Sequence, residues 1–584
     1  MLNVKKLALP LFIFLTLLLC LLIQYWGYDF PGLGIDDANI YFVYMKNVAN
    51  GHGFVWNVGG ERVEGFTSFL WTVIGAGVYK MTPVYFSKVL ISILFILTYL
   101  TVYQVLVFVR RLNKTTEAVI APSDVIILSA LLLPLGFVDW NILSLMETGL
   151  WTFLLTTTLL EVCRYILQLD KLHPVRLSFL MIAMVITRPE SMAYNLLIIA
   201  CLFVYIAVEK EYQQGLKKTV PLVIVHFAAI AAIIFWRISY FGFPFPNTYY
   251  AKVSSSILYN IKSSASYLVI FFYSYPLYIF IGIVLAFFAA SIFLKYRKKG
   301  MYKLIEPEEK VQLFLFIITL AVFLLPLLTG GDHFKYCRFY QPVLPVTLIS
   351  ACNYYCWNKY VGIKFQSGKK PALVLATAFA CMMILSCRFT MFDFITSKSH
   401  KMYMPVMQEF FISKDGREVA DKMNETFDGI ANYPSVGTLA TGGFGFVYKG
   451  NTIDLLGLNN VIMAHADPNK KGYRDHASFD RNAFFKLKPD IMGSFYGVTV
   501  VTDTGKFVLP ENDADFHTDM NFMFLIYKHV FDDPRFLDMY QPALIRNKKK
   551  DFYIFDYFNK QYIQTIDTTK LSFIPLKRKF KPAS

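Results

Sequence analysis

Apolar runs of about 20 residues, separated by short polar segments, fill the first two thirds of this chain; about 20 is the number an α-helix needs to cross a bilayer core. After about residue 390 the pattern changes to short apolar runs interrupted every few residues by charge. Crossings are predicted over Leu7–Trp26 and near 84–109, 124–138, 149–169, 176–187, 190–208, 219–236, 268–294, 311–329, 341–358 and 371–388, about eleven spans in all. The run Phe69–Tyr79 holds about 11 residues, roughly 16 Å of helix, which cannot span the hydrocarbon. It is predicted to lie flat on the outer surface as part of the first loop. The apolar core after Lys6 is too long for a signal peptide, and Leu17-Leu18-Leu19-Cys20 lacks the small residue that lipoprotein processing requires. An uncleaved first span is predicted.

Charge fixes the direction of these spans. Basic clusters at Lys5/Lys6, Arg110/Arg111/Lys114, Lys171/Arg176, Lys210/Lys217/Lys218, Lys295/Arg297/Lys298/Lys299 and Lys359/Lys364/Lys369/Lys370 fall on alternate loops. Cytoplasmic loops carry such an excess of Lys and Arg. The reading is therefore a multi-pass plasma-membrane protein with a cytoplasmic N-terminus. Counting Phe69–Tyr79 as a span would throw Arg110 and Arg111 to the wrong side.

Of the 584 residues, 55% are hydrophobic and 17% charged, with mean hydropathy +0.45, which excludes an ordinary soluble protein. The formal charge of +16 does not point to nucleic acid, because the cations sit in short loops between apolar runs. The basic groups Lys548–Lys550 and Lys577–Lys579 read as ordinary surface or lipid-headgroup contacts. The eight cysteines show neither a disulfide framework nor zinc spacing. The fold class expected is a mainly α polytopic membrane protein over 1–389, with a first outer loop at 27–83. An extracytoplasmic α/β domain over 390–584 follows, with strands at Ser435–Ala440, Thr452–Leu456 and Asp490–Phe495 and a helix over Gly416–Phe427.

With this topology the odd charges gather on the outer side. Asp36-Asp37 follows the first span directly; one Asp suffices to cap the helix starting at Ala38, and the second is surplus. A carboxylate there could act as a general base on a hydroxyl or bind a divalent cation. Arg188 and Glu190 flank Pro189 between apolar runs, and an i, i+2 ion pair is poor on a helix, so each is expected to find a separate partner. Arg188 suits a phosphate through its planar, permanently charged fork. Lys252, His333, Lys335 and Arg338 are further outer cations able to hold a phosphate together. Glu147 reads equally as a helix N-terminal acid or a functional one. Gly442-Gly443-Phe444-Gly445 lacks the Walker lysine and is expected to be a β-turn. Asn424-Glu425-Thr426 is a sequon only in a eukaryotic secretory route.

These residues together resemble the GT-C class of polyprenyl-phosphate-sugar-dependent glycosyltransferases, within it the arabinofuranosyltransferase-like branch. The resemblance is carried by Asp36-Asp37-Ala38-Asn39-Ile40-Tyr41-Phe42, the segments starting at Gly51 and Gly60, Met146-Glu147-Thr148, Thr187–Glu190, Pro246–Lys252, Gly330–Arg338, Pro342–Pro345 and Tyr448–Leu458. It implies a catalytic Asp in the first outer loop, Asp36 or Asp37, and a lipid-phosphate sugar donor held by Arg188, Lys252, His333, Lys335 and Arg338. Glu64, Glu147, Glu190, Asn247, Tyr249 and Asp332 are then candidates for substrate binding. No metal site is assigned; a divalent cation is compatible but not required. Asn39, Phe42 and His333-Phe334-Lys335 depart from the relatives' pattern, so the arabinose name does not transfer with the fold.

The function expected is an inverting transfer of a sugar from a polyprenyl-phosphate donor to a glycan, lipid or protein acceptor of the cell envelope, at the bilayer and without nucleic acid. Two competitors are a transporter or flippase of lipid-linked saccharide and a membrane-anchored binding protein working through 390–584. The first calls for midplane sites between repeats, and no repeat is evident; the second has no use for charges clustered in the membrane part.

Overall fold

The structure, a computed structural model, describes residues 4–297, 304–362, 370–387, 406–470, 472, 476–493, 499–502, 509–513 and 525–579. The expected inside residues Lys298, Lys299, Lys364 and Lys369, the 389/390 boundary and the end of the strand expected at Asp490–Phe495 lie outside the described residues. The chain is mainly helical and divides into two compact units, each discontinuous in sequence. The first unit comprises 1–32, 87–235 and 260–406. The second joins 33–86 and 236–259 to 407–584.

Six described helices are long and apolar enough to cross a membrane, by length and composition: Leu7–Gly27, Phe86–Leu112, Ser191–Glu209, Tyr212–Phe241, Pro276–Arg297 and Pro307–Thr329. The chain is therefore a multi-pass membrane protein. The crossings expected near 124–138 and 176–187 fall on the shorter helices Pro122–Leu132 and Pro174–Val185, and two other expected runs are interrupted. The run 268–294 is two helices, Ile257–Ser274 and Pro276–Arg297, because Pro276 donates no N–H and starts a new helix. The run 341–358 is broken likewise: a 3₁₀ turn Arg338–Val343 precedes Leu344–Ala351, and Asn353 then caps a fresh turn by accepting from the Cys356 N–H.

The 149–169 run is the helix Thr148–Ile166, which buries every residue except Phe153 and Arg164 and carries Thr152, Thr156, Thr157 and Thr158. It forms the centre of the first unit. The Thr152 and Thr158 hydroxyls return hydrogen bonds to the Thr148 and Leu154 carbonyls, so these two side chains sit in the bundle at little expense. In the charge cluster expected on the inner side, Arg110 is not a solvated or lipid-facing cation. Its guanidinium is buried on Asp124 and donates to the Ala118 and Val119 carbonyls, which closes the loop after Phe86–Leu112.

The second unit holds most of the expected first outer loop and the α/β part. The helix Asp36–Ala49 packs on Phe69–Met81, the 13-residue helix expected to lie flat. Ser68 caps the latter by accepting from the Trp71 N–H. Gly75 permits their close approach: a Cβ there would lie 2.2 Å from the Met45 sulfur. Seven strands, β1 Val436–Thr438, β2 Thr452–Asp454, β3 Ile491–Met492, β4 Thr499–Thr502, β5 Tyr540–Asn547, β6 Phe552–Asn559 and β7 Leu571–Pro575, form one sheet in the order β2-β1-β3-β6-β5-β7, with β4 also on β6. Pairing is parallel from β2 through β3 and antiparallel beyond. Two apolar cores flank the sheet, one around Phe484, Tyr527 and Phe536, the other around Met423, Phe444 and Phe558. The helix expected at Gly416–Phe427 is the second half of Met407–Thr426.

Candidate functional site

In the second unit, the helix Asp36–Ala49 starts at Asp36 itself. Ile35 is the N-cap residue and supplies no capping side chain, so neither acid caps this helix. Asp36 reaches instead to the Gly-rich segment. The Gly442 N–H donates to its Oδ2 at 3.0 Å and the Gly443 N–H to its Oδ1 at 2.7 Å. The segment expected as a β-turn is thus the start of a short helix, Gly442–Val447, and an aspartate takes the place an anion occupies at a helix N-terminus. Gly442 is required by proximity: a Cβ would lie 1.9 Å from the Asp36 carbonyl oxygen. Burial pushes the Asp36 carboxyl up to about 6, against the two amide hydrogen bonds, and the charges of Asp37 and Asp454 push the same way.

Asp37 is placed differently. Its Oδ2 lies 3.7 Å from Lys252 Nζ, and its side chain is 21% exposed. Behind the pair, Asn39 is fully buried. Its amide donates to the Leu33 and Ile35 carbonyls and to Ser413 Oγ, and its carbonyl oxygen accepts from Arg417. Arg417 stacks on Phe446, and burial lowers its guanidinium to about 10 although Asp36 pulls upward.

Two expected substrate residues have structural partners. Glu64 is buried on Arg237, with Nε 2.9 Å from Oε2 and Nη2 3.0 Å from Oε1. Burial pushes its carboxyl up to about 7, with Arg237 opposing. Arg237 was missed by the sequence reading; as a lone cation near the end of an apolar run expected to finish on the outer side, it carried the same signal as Lys252. Asn247 donates from Nδ2 to the Gly457 and Leu458 carbonyls, tying the Pro246 turn to the loop after β2. Asn459 of that loop accepts from Tyr44 OH and donates to Asp454, while Tyr44 OH accepts from the Gly65 N–H. Tyr249 remains exposed. The sequon Asn424 is engaged at both ends of its amide, with the Val447 carbonyl and the Lys449 N–H.

In the first unit, Arg188 donates from Nη1 to Glu147 at 2.5 Å and from Nε and Nη2 to Glu190 at 3.2 and 2.6 Å. The expectation of separate partners for Arg188 and Glu190 is therefore corrected. Residues 186–190 form a turn and not a helix, so side chains two apart can meet. Arg338 Nε donates to Asp332 Oδ2 at 2.5 Å, and His333 Nδ1 lies 3.4 Å from Asp332 Oδ1. Both guanidiniums lie over one ring, Phe339, at 5.0 and 5.2 Å from its centroid, and Arg338 also covers Phe334. Arg188, Glu190, Arg338, Phe339, Tyr194 and Trp151 line a cleft of about 20 Å³, room for one water. Lys335 is exposed, and its carbonyl accepts from the Trp140 indole. The structure thus gathers Arg188, Arg338, Glu147, Glu190, Asp332 and His333 in one unit. It gathers Asp36, Asp37 and Lys252 in the other. Among the described residues no group of three or more His, Cys, Asp or Glu side chains could hold a metal ion.

No family model matches the chain, and no curated protein is significantly similar to it. Among solved structures, the chain is similar to the oligosaccharyltransferase of Archaeoglobus fulgidus in its apo form, at 13% identity and TM-score 0.48 over 94% of this chain and 74% of that one. A second structure from that organism, the oligosaccharyltransferase AglB in complex with an inhibitory peptide and a dolichol-phosphate, matches at 12% identity and TM-score 0.46, over 94% and 74%. ArnT from Cupriavidus metallidurans, bound to undecaprenyl phosphate, matches at 13% identity and TM-score 0.41, over 75% and 85%.

Proposed function

We propose that this chain is a membrane glycosyltransferase that moves a sugar from a polyprenyl-phosphate donor to a cell-envelope acceptor, with Asp37 as general base. The observation that carries this reading is the division of labour in the acid pair. Both oxygens of Asp36 accept backbone N–H groups, whereas Asp37 is partly exposed beside Lys252. Asp36 fixes the start of the helix, and the adjacent Asp37 takes the proton of the acceptor hydroxyl. The oxygen attacks the anomeric carbon, the bond to the donor phosphate breaks, and the polyprenyl phosphate leaves with the electron pair, inverting the centre. Arg188 and Arg338, stacked on Phe339, are the cations we assign to the donor phosphate; their carboxylate partners hold the forks in place before it arrives.

One observation favours a second assignment of the base. The Asp36 carboxyl at about 6 lies closer to neutrality than an ordinary aspartate, which suits a general base. Sugar transfer from radiolabelled polyprenyl-phosphate donors by the purified chain, with Asp36→Asn and Asp37→Asn beside wild type, decides between them. Loss of transfer in Asp37→Asn with its thermal stability retained supports the first assignment; undiminished transfer in both variants sinks the assignment of the base to either acid.

A further inference from the structure

The second unit presents an aromatic surface that the acid pair does not use. Phe243, Phe245, Tyr249 and Tyr250 come from the Phe-Pro-Phe-Pro segment and the short helix Asn247–Lys252. His465, from Val461–Ala466, lies against them, its ring centroid 4.5 Å from Phe243 and 4.3 Å from Tyr250. Phe245 and Tyr249 pair at 5.1 Å and are 42% and 43% exposed. Large rings left open in this way mark a contact surface.

Its surroundings are polar. Asp467, two residues beyond His465, pairs with Lys528 at 3.8 Å, and the exposed Ser255 hydroxyl meets the Asn469 carboxamide at 3.4 Å. A charged and hydrogen-bonding rim is unfavourable at lipid depth. Aromatic faces beside such a rim match a saccharide, whose C–H face stacks on a ring while its hydroxyls bond at the edge. The same helix leads from Tyr249 to Lys252, whose Nζ is 3.7 Å from Asp37.

We propose that Phe245, Tyr249, Tyr250 and His465, joined through the Tyr250 ring, form a saccharide-stacking platform that holds a glycan acceptor on the approach to Asp37; its use as an acceptor site rests on the transferase reading above. The full chain in detergent is applied to an array of defined pentose and hexose oligosaccharides. Wild type binds at least one class, Phe245→Ala and Tyr249→Ala weaken that binding about tenfold (about 1.4 kcal/mol), and Tyr249→Phe restores it. In transfer assays the alanine variants raise the acceptor KM by a similar factor and leave the donor KM in place. No binding by wild type, or equal binding by wild type and alanine variants, overturns the platform. So does reduced partitioning of the variants into liposomes with glycan binding intact, which would make the patch a bilayer contact. Glycan binding that depends on Tyr249, in a protein that transfers no sugar, would instead remove the transferase reading and keep the platform.

Discussion

The arginine cluster of the first unit and the acid pair of the second are both built from charge, yet they are wired over different distances along the chain. Arg188 finds Glu190 two residues away and Glu147 at 41, and Arg338 finds Asp332 six residues away. Asp36 finds its amide donors at separations of 406 and 407, Glu64 finds Arg237 at 173, and Asn247 reaches carbonyls at 210 and 211. In the cluster each guanidinium takes one counter-ion from its own turn, Glu190 or Asp332, and Glu147 is added from the start of a neighbouring helix. The acid pair is a junction of distant segments, where Asp36 locks the backbone and Asp37 stands beside Lys252.

The sharpest break of this contrast lies inside the acid pair. Asp37→Asn removes the proton acceptor and is expected to slow transfer about 10²- to 10⁴-fold with the melting temperature unchanged. Asp36→Asn presents an amide N–H to one of the two glycine N–H groups. It is expected to lose about 1–3 kcal/mol of stability through that mismatch, and rate only as a consequence. Rates and melting curves on the same preparations separate the two. A pH–rate limb near 6 that vanishes in Asp36→Asn would transfer the base to Asp36, whose carboxyl lies there.

In the arginine cluster the expected order of damage is reversed, with stability failing first. Arg188→Ala leaves the buried Glu147 and the half-buried Glu190 without this cation, a loss of about 3–5 kcal/mol for a buried pair broken on one side. Arg188→Lys keeps the charge but not the fork, so it should recover much of the stability while the donor KM stays high. Equal melting temperatures for wild type and Arg188→Ala would show that the carboxylates do not depend on this guanidinium.

The same contrast accounts for what the sequence disclosed. Span periodicity, the short helix at Phe69, the change of texture near 390 and the identity of the charged residues are local properties, and they were readable. Whether a charge is committed depends on what folds against it. Glu64 looked like a substrate ligand because Arg237 stood at the far end of an apolar run, and Gly442-Gly443 looked like a turn because its aspartate lay at the other end of the chain. The breaks at Pro276 and Asn353 were legible in principle. Hydropathy averaged over a span hides one residue that stops a helix.

Gly442 tests the long-range junction without touching a charge. Gly442→Ala drives a Cβ to within 1.9 Å of the Asp36 carbonyl, where the obstacle is backbone and cannot rotate away. A loss of about 1–3 kcal/mol is expected, together with a fall in rate of about 10²-fold if the acid pair moves by as little as 1 Å. Thermal stability and single-turnover rate should fall together. An alanine variant with wild-type rate would show that the contact does not position the acids.

The smallest effect concerns pH. Glu64 has a carboxyl at about 7 in the fold against an ordinary 4.5, so between those values the folded protein binds more protons than the unfolded chain. The stability tied to that proton is complete below 4.5 and is lost as pH rises through 7. Asp36 and Asp454, each pushed by burial from 3.8 to about 6, act in the same direction over a lower window. Glu64→Gln keeps an oxygen for Arg237 and cannot titrate. Its melting temperature should therefore fall less than that of wild type between pH values of about 5 and 7.5, the residual slope coming from the two aspartates. Parallel slopes in wild type and variant would mean that Arg237 holds Glu64 ionised throughout. The buried pair of the second unit would then behave as a fixed ion pair, as the arginine cluster is expected to do, and the difference between the two regions would reduce to one of sequence distance.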